Sequence, residues 1–152
     1  MSRAAWRFGA LVAGTALLVA VSGCATDAPT PDPSSTTPAS CDLPAAPAVV
    51  TFEVADQGSY SIELLTDELV AHAAELQSGG EDGRIPSGTI VRDGDGGVNA
   101  PWSWHIDPST LEFVDMTTEV CDGLPEYVED GSLTSDVYCP WSATVVDLKA
   151  KN

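Results

Sequence analysis

Two stretches of alternating apolar and polar residues stand close together, at residues 50–54 (VTFEV) and 60–64 (YSIEL). This alternation is typical of half-buried β-strands, whose successive side chains point to opposite faces. The residues between the two stretches include Asp56 and Gly58, which favour turns. The pattern therefore predicts a β-hairpin.

A helix is predicted directly after the hairpin. Thr66 is a favourable N-cap residue, and the two residues that follow it are acidic, which suits the positive end of a helix dipole. Three apolar residues then share one helical face: Leu69, Ala73 and Leu76. Gly79 marks the end of the helix. We expect the apolar face to lie on a sheet.

The rest of the chain contains four more segments with strand character, at residues 89–91, 102–106, 111–121 and 141–148. The third segment loses its alternation near Asp115, which predicts a bend or bulge, and the last is apolar on both faces, which predicts a central strand. Residues 125–130 fit one helical turn. The sequence thus predicts an α+β fold, in which one main helix packs on a small, mostly antiparallel sheet of about five to six strands.

The start of the chain has a different pattern. Arg3 and Arg7 precede an apolar run over residues 8–21, which as a helix is about 21 Å long, shorter than the roughly 30 Å hydrocarbon core of a bilayer. The run ends in residues 21–24 (VSGC), which resemble a bacterial lipobox. The resemblance implies that residues 1–23 are a signal peptide and that Cys24 is lipidated to become the first residue of the mature protein.

Residues 24–40 are rich in proline, serine and threonine, so they predict a lipid-anchored tether without a core of its own. Residues 41–152 have the usual size of a single globular domain. We therefore expect a lipoprotein held on the cell membrane and facing outside the cytoplasm.

The predicted exported part carries all 23 acidic residues of the chain and only four cationic ones: Arg84, Arg92, Lys149 and Lys151. Nucleic acid is not an expected partner, because a phosphate backbone requires clustered lysine and arginine. The acidity is explained by solubility at a cell surface, and cationic ligands are the alternative.

The chain has four cysteines, and lipidation of Cys24 leaves an odd number in an oxidising compartment. Cys121 and Cys139 each border a strand-like segment, and closing the loop between them is worth about 3 kcal/mol. We predict a disulfide between them. Cys41, at the tether junction, is left free, pairs between molecules, or replaces one of the other two.

Metal and cofactor sites are weakly supported. Asp93 and Asp95, in a glycine-rich loop, offer two carboxylates to a hard cation such as calcium, but the loop lacks the glycine and glutamate that an EF-hand needs at the matching positions. A plain turn between strands is the favoured interpretation of this loop. His72 and His105 have no second ligand at zinc spacing, so no cofactor is expected.

Several segments together resemble a domain family named after a calmodulin-binding protein, often called the BP-seventy-four-related domain. They are residues 88–92 (GTIVR), 97–108 (GVNAPWSWHIDP), 119–123 (EVCDG), 127–130 (YVED) and 139–143 (CPWSA). The resemblance extends from about residue 49 to residue 147. Calmodulin is nevertheless not an expected partner, because it binds basic amphipathic helices and the predicted helix contains no lysine or arginine.

The NAPWSWH segment supplies the candidate ligand-binding residues: Asn99, Trp102, Trp104 and His105. Strand alternation puts both tryptophans on one face, opposite His105, so they form either an aromatic platform or part of the core. Ser103, His105 and Asp107 do not predict a catalytic triad, because residues two apart on a strand are too distant for direct hydrogen bonds.

We therefore do not expect an enzyme. The sequence favours a membrane-anchored binding or interaction module for an unknown protein, peptide or glycan. The alternative is a structural cell-envelope lipoprotein without a small-molecule ligand, and a calcium- or glycan-binding domain is a further possibility.

Overall fold

A computed structural model describes residues 43–152 of the chain. The lipobox with Cys24, the tether and Cys41 lie outside the described residues. No helix in residues 43–152 has both the length and the apolar character needed to cross a bilayer.

The described chain forms an α+β fold, which confirms the predicted class. Its strands are β1 (Ala48–Val54), β2 (Gly58–Leu64), β3 (Ile85–Val91), β4 (His105–Ile106), β5 (Glu112–Val114), β6 (Val137–Tyr138) and β7 (Ala143–Ala150), and its α-helices are α1 (Asp67–Gln77) and α2 (Pro125–Glu129). The strands divide into two antiparallel sheets, where the sequence suggested one. One sheet has the order β2-β1-β7, and in the other β3 pairs with β4, β5 and β6.

The predicted hairpin is formed by β1 and β2. Its register places Val50 opposite Ile62 and Phe52 opposite Tyr60, and all four side chains are buried. The chain reverses through Ala55 and Asp56, whose positive φ angles match the twist of a tight hairpin.

The predicted helix is α1. The Thr66 hydroxyl accepts a hydrogen bond from the Leu69 backbone N–H at 3.3 Å, which confirms the N-cap. The helix ends at Ser78, and Gly79 follows it with φ of 95°. Val70 and Ala73 are its buried residues, and the helix lies mainly against β7.

An aromatic cluster joins the two sheets. Tyr60 of β2 lies 5.1 Å from Tyr138 of β6 and 6.0 Å from Trp104, measured between ring centroids, and Tyr60 stacks on Phe52 at 5.4 Å. Offset and edge-to-face arrangements of this kind are favourable beyond the area they bury. Burial raises the pKa of Tyr60 and, together with the nearby Asp122 carboxylate, that of Tyr138, so both phenols stay neutral.

Two predicted strands are shorter in the structure. Residues 102–106 contribute only the two residues of β4, because Trp102 and Ser103 lie in a turn. The segment predicted at residues 111–121 is a strand only in β5, and it continues into a 3₁₀ turn, Glu119–Cys121. The helical turn predicted at residues 125–130 is confirmed as α2.

The expected central position of the last strand is wrong. β1 is the central strand, and β7 lies at an edge of the three-stranded sheet. Thr51 pairs with Asp147 and Phe52 with Val145, so Val146 has no partner and forms a bulge. The bulge reverses the alternation within β7, which is why both of its faces carry apolar residues although Val146 is 48% exposed.

The predicted disulfide between Cys121 and Cys139 is present, with their Cα atoms 5.1 Å apart. The Cys139 backbone N–H also donates to the Cys121 carbonyl at 2.8 Å. These contacts fix the Glu119–Cys121 turn to the segment that follows β6.

Replacing both disulfide cysteines with alanine is expected to lower the free energy of unfolding by about 3 kcal/mol, because the bond closes a loop with a sequence separation of 18. Urea denaturation measures the change. Dithiothreitol should destabilise the unsubstituted protein but not the double variant. Equal midpoints for the double variant and the unsubstituted protein would contradict the prediction.

Candidate functional site

The NAPWSWH segment runs along the outer edge of β2, between the two sheets. Asn99 is its anchor and is only 2% exposed. The Asn99 side-chain oxygen accepts from the Ser61 backbone N–H at 2.8 Å, and its nitrogen donates to the Trp104 carbonyl at 2.9 Å. One buried amide thus links β2 of the first sheet to the chain entering β4 of the second.

The two tryptophans of the segment have different environments. Trp104 is 1% exposed and belongs to the aromatic cluster, so it is a core residue. Trp102 is half-buried, and its indole N–H donates to the Ser59 carbonyl at 2.8 Å. Trp102 and Asn99 therefore satisfy the outward-facing carbonyl of Ser59 and N–H of Ser61, and cover that part of the β2 edge.

The four residues predicted as ligand contacts differ in their exposure to solvent. Asn99 and Trp104 are internal, so a ligand on the surface does not reach their side chains. Trp102 offers only part of its ring to solvent. His105 is half-buried at the surface and is the one of the four that faces a depression.

The depression has a volume of about 400 Å³ and is open to solvent. It is lined by residues of both sheets, the glycine-rich loop and the segment after β7: Glu63, Gly96, Gly97, Val98, His105, Ile106, Pro108 and Lys151. We call it the His105 depression. It brings His105 and the glycine-rich loop, which the sequence singled out separately, to one place.

Close packing shapes the loop side of the depression. Gly96 has φ of 72°, and a Cβ atom built on it would collide with the Trp102 carbonyl oxygen, so only glycine fits there. The Asp95 carboxylate accepts a hydrogen bond from the Gly97 backbone N–H at 3.1 Å. Gly97 is the first residue of the 3₁₀ turn Gly97–Asn99. The loop geometry is therefore fixed from both sides.

The polar groups of the depression are partly paired. The Lys151 ammonium lies 2.6 Å from the Glu63 carboxylate in a partly exposed ion pair. The Nδ1 atom of His105 is buried and has no hydrogen-bond partner among the described residues. Beside it, hydrogen bonds from the Ser109 hydroxyl and N–H hold the pKa of Asp107 below its usual value, and His105 acts in the same direction.

These groups provide hydrogen bonding and apolar contact. The Ser103 hydroxyl and backbone N–H both donate to the Glu129 carboxylate, at 3.1 and 3.0 Å, so Ser103 is directed toward α2. The apolar wall consists of Val98, Ile106 and Pro108. The His105 depression thus combines an apolar wall with a few polar groups.

The calcium candidates Asp93 and Asp95 are both exposed, and Asp95 acts as a local turn cap. Over residues 43–152, no group of three or more His, Cys, Asp or Glu side chains is placed to hold a metal ion.

Sequence reasoning missed Arg92. Its guanidinium donates to the carbonyls of Val128, Leu133 and Ser135 at 2.8 to 3.0 Å, and so holds the loop between α2 and β6. Because all three acceptors are backbone carbonyls, no pattern of side chains in the sequence indicates this contact. The only signal is an arginine in a domain with very few cations.

The fold and the partly covered edge of β2 define a small α+β domain built from two antiparallel sheets joined by an internal asparagine. The sequence model of the BP-seventy-four N-terminal domain matches residues 46–152 of the chain. The chain therefore belongs to this domain family. No curated protein and no solved structure matches it.

Replacing Asn99 with alanine is expected to lower the free energy of unfolding by about 2 to 4 kcal/mol, because the Ser61 N–H and the Trp104 carbonyl lose their partner in a buried place. Asn99→Asp should also destabilise, since it buries a carboxylate and loses the donor to Trp104. Thermal and urea unfolding measure both changes.

Asn152 is the matched control, because it is the other asparagine of the chain and is exposed. Asn152→Ala should leave the unfolding free energy within about 0.5 kcal/mol of the unsubstituted protein. An equally small effect of Asn99→Ala would show that Asn99 does not hold the sheets together.

Proposed function

We propose that this protein is a lipid-anchored, non-catalytic binding module outside the cytoplasm, and that it holds a peptide or glycan in the His105 depression. The observation that carries the proposal is the convergence of His105, the glycine-rich loop and the Glu63–Lys151 ion pair around one cleft. Each comes from a different part of the chain.

The chemistry of the cleft supports a ligand with both polar and apolar groups. His105 is half-buried and lines the His105 depression, so the accessible part of its imidazole ring can contact a ligand. The ion pair can exchange partners with a ligand, because both of its side chains are partly exposed. The apolar wall at Val98, Ile106 and Pro108 adds contact area.

The proposed location depends on Cys24. Lipidation there would hold the domain to the membrane, and the tether of residues 24–40 would allow it to extend on the order of 50 Å from the surface. A spaced domain could reach partners in the cell envelope. Calmodulin is not proposed among them, since α1 carries no lysine or arginine.

A structural cell-envelope lipoprotein is the second candidate function. It is favoured by the internal positions of Asn99 and Trp104, because folding alone then explains two of the four candidate residues of the NAPWSWH segment. In that case the protein has no small-molecule ligand.

A ligand screen separates the two candidates. The binding module predicts that a member of a set of short peptides or oligosaccharides raises the unfolding temperature, since a ligand at 100 times its Kd adds about 2.7 kcal/mol. Calcium chloride is included as a separate arm for Asp93 and Asp95. His105→Ala should weaken the shift at least about tenfold in apparent affinity.

Glu68→Ala is the control, because Glu68 is exposed on α1 and does not line the His105 depression. It should leave the shift unchanged. A shift from no probe would favour the structural lipoprotein, and a shift that survives His105→Ala would place the ligand elsewhere.

The anchor has its own test. Mass spectrometry of the protein isolated from its native host is expected to find Cys24 as the first residue, carrying a diacylglyceryl group. Cys24→Ser should abolish the lipid, whereas Cys41→Ser should retain it. An intact amino terminus, or a mature end without fatty acid, would contradict the proposed location.

A further inference from the structure

The three-stranded sheet has two edges, and within residues 43–152 only the β2 edge is partly covered by another segment. Along β2 the backbone groups of Ser59 and Ser61 are bonded to Trp102 and Asn99. Along β7 the only strand neighbour in this part of the chain is β1. An open edge strand displays a row of N–H and C=O groups that can pair with another strand.

The register identifies the groups that face outward. The Lys151 N–H donates to the Pro47 carbonyl at 3.1 Å, so residue 151 points its backbone toward the β1 side. Because hydrogen-bonding direction alternates along an antiparallel strand, Asp147 and Lys149 also point to β1, and Leu148 and Ala150 point away from it. The outward backbone groups therefore centre on Leu148.

The side chains around Leu148 are self-complementary. Asp147 and Lys149 lie on the same face of β7, where their charged groups are 3.3 Å apart, and their side chains are 52% and 62% exposed. In an antiparallel pair of β7 strands related by a two-fold axis at Leu148, Asp147 lies opposite Lys149 of the partner subunit. The symmetric pair forms at the same time, because an isologous interface repeats every contact.

We propose that the edge of β7 is a homodimerisation surface, through which two copies of this chain join their three-stranded sheets into one continuous sheet. Main-chain hydrogen bonds at Leu148 and two cross-strand Asp147–Lys149 pairs hold the copies together.

Charge favours a second copy over an unrelated strand. The domain is strongly acidic, and both lysines of the chain lie at the end of β7 or directly after it. Two copies therefore repel each other less at this edge, where each copy presents lysines to the other. Elsewhere on the surface they present mainly carboxylates to each other. Edge lysines normally discourage pairing with another strand, but here the matching aspartate lies two residues away.

A charge-exchange experiment on the full chain tests the proposal. Asp147→Lys places lysine opposite lysine in a homodimer, and Lys149→Asp places aspartate opposite aspartate. Each variant alone should dimerise at least about tenfold more weakly than the unsubstituted protein in sedimentation equilibrium, since opposite cross-strand pairs are favourable and like pairs are unfavourable. An equimolar mixture of the two variants restores both opposite-charge pairs and should dimerise about as tightly as the unsubstituted protein.

The mixture also controls for folding, because a variant that fails to fold cannot recover dimerisation with its partner variant. Glu126→Lys, a charge change of the same sign and size as Asp147→Lys on the exposed side of α2, should leave dimerisation within about twofold. An unsubstituted protein that stays monomeric throughout the concentration series would overturn the proposal, and so would a mixture that dimerises no better than the single variants.

Hydrogen exchange identifies what covers the edge. The amides of Leu148 and Ala150 should become protected as the protein concentration rises. Protection that does not change with concentration would mean that a segment of the same chain covers β7, which would also overturn the proposal.

Discussion

The fold depends on one buried side-chain amide. Asn99 is almost inaccessible to solvent, and its side chain bonds to the backbone of Ser61 in β2 and of Trp104, the residue before β4. A buried amide of this kind stabilises only when it is satisfied, and it then specifies a single arrangement of the groups around it. The aromatic cluster fills the space between the sheets, and Asn99 links β2 to the chain entering β4. The NAPWSWH segment therefore has a structural role, because it holds the two sheets together. This explains why only His105 of its four candidate residues faces the His105 depression.

The packing of this segment also determines which surfaces stay exposed for binding. The NAPWSWH segment covers the β2 edge at Ser59 and Ser61, so within residues 43–152 β7 remains the open edge of the three-stranded sheet. Gly96, which lines the His105 depression, lies close to the Trp102 carbonyl. The proposed binding cleft and the proposed dimer edge are therefore two consequences of one packing arrangement. The two surfaces adjoin at Lys151, which pairs with Glu63 in the depression and directly follows β7. Leu148, at the centre of the proposed dimer edge, does not line the depression.

Local signals in the sequence predicted the local elements well. The hairpin and α1 follow from alternation and from the Thr66 cap, because their contacts lie within a few residues. The disulfide could be predicted from the sequence because few cysteines were left to pair. The position of β7 was mispredicted because the bulge at Val146 reverses the alternation, and a register shift depends on the partner strand. The role of Asn99 was hidden for a similar reason, since its partner Ser61 is 38 residues away. Alternating tryptophans suggested a strand where the chain makes a turn that covers part of a sheet edge.

The most direct test of the structural role of Asn99 is amide hydrogen exchange along β2. Ser61 and Glu63 both point their backbone away from β1, but within residues 43–152 only the Ser61 N–H has a partner, the Asn99 oxygen. The account predicts that the Ser61 amide exchanges as slowly as the core strand amides, through global unfolding, and that the Glu63 amide exchanges much faster. Equal, fast exchange at both positions would contradict it, because the Asn99 bond would then not hold the sheets together.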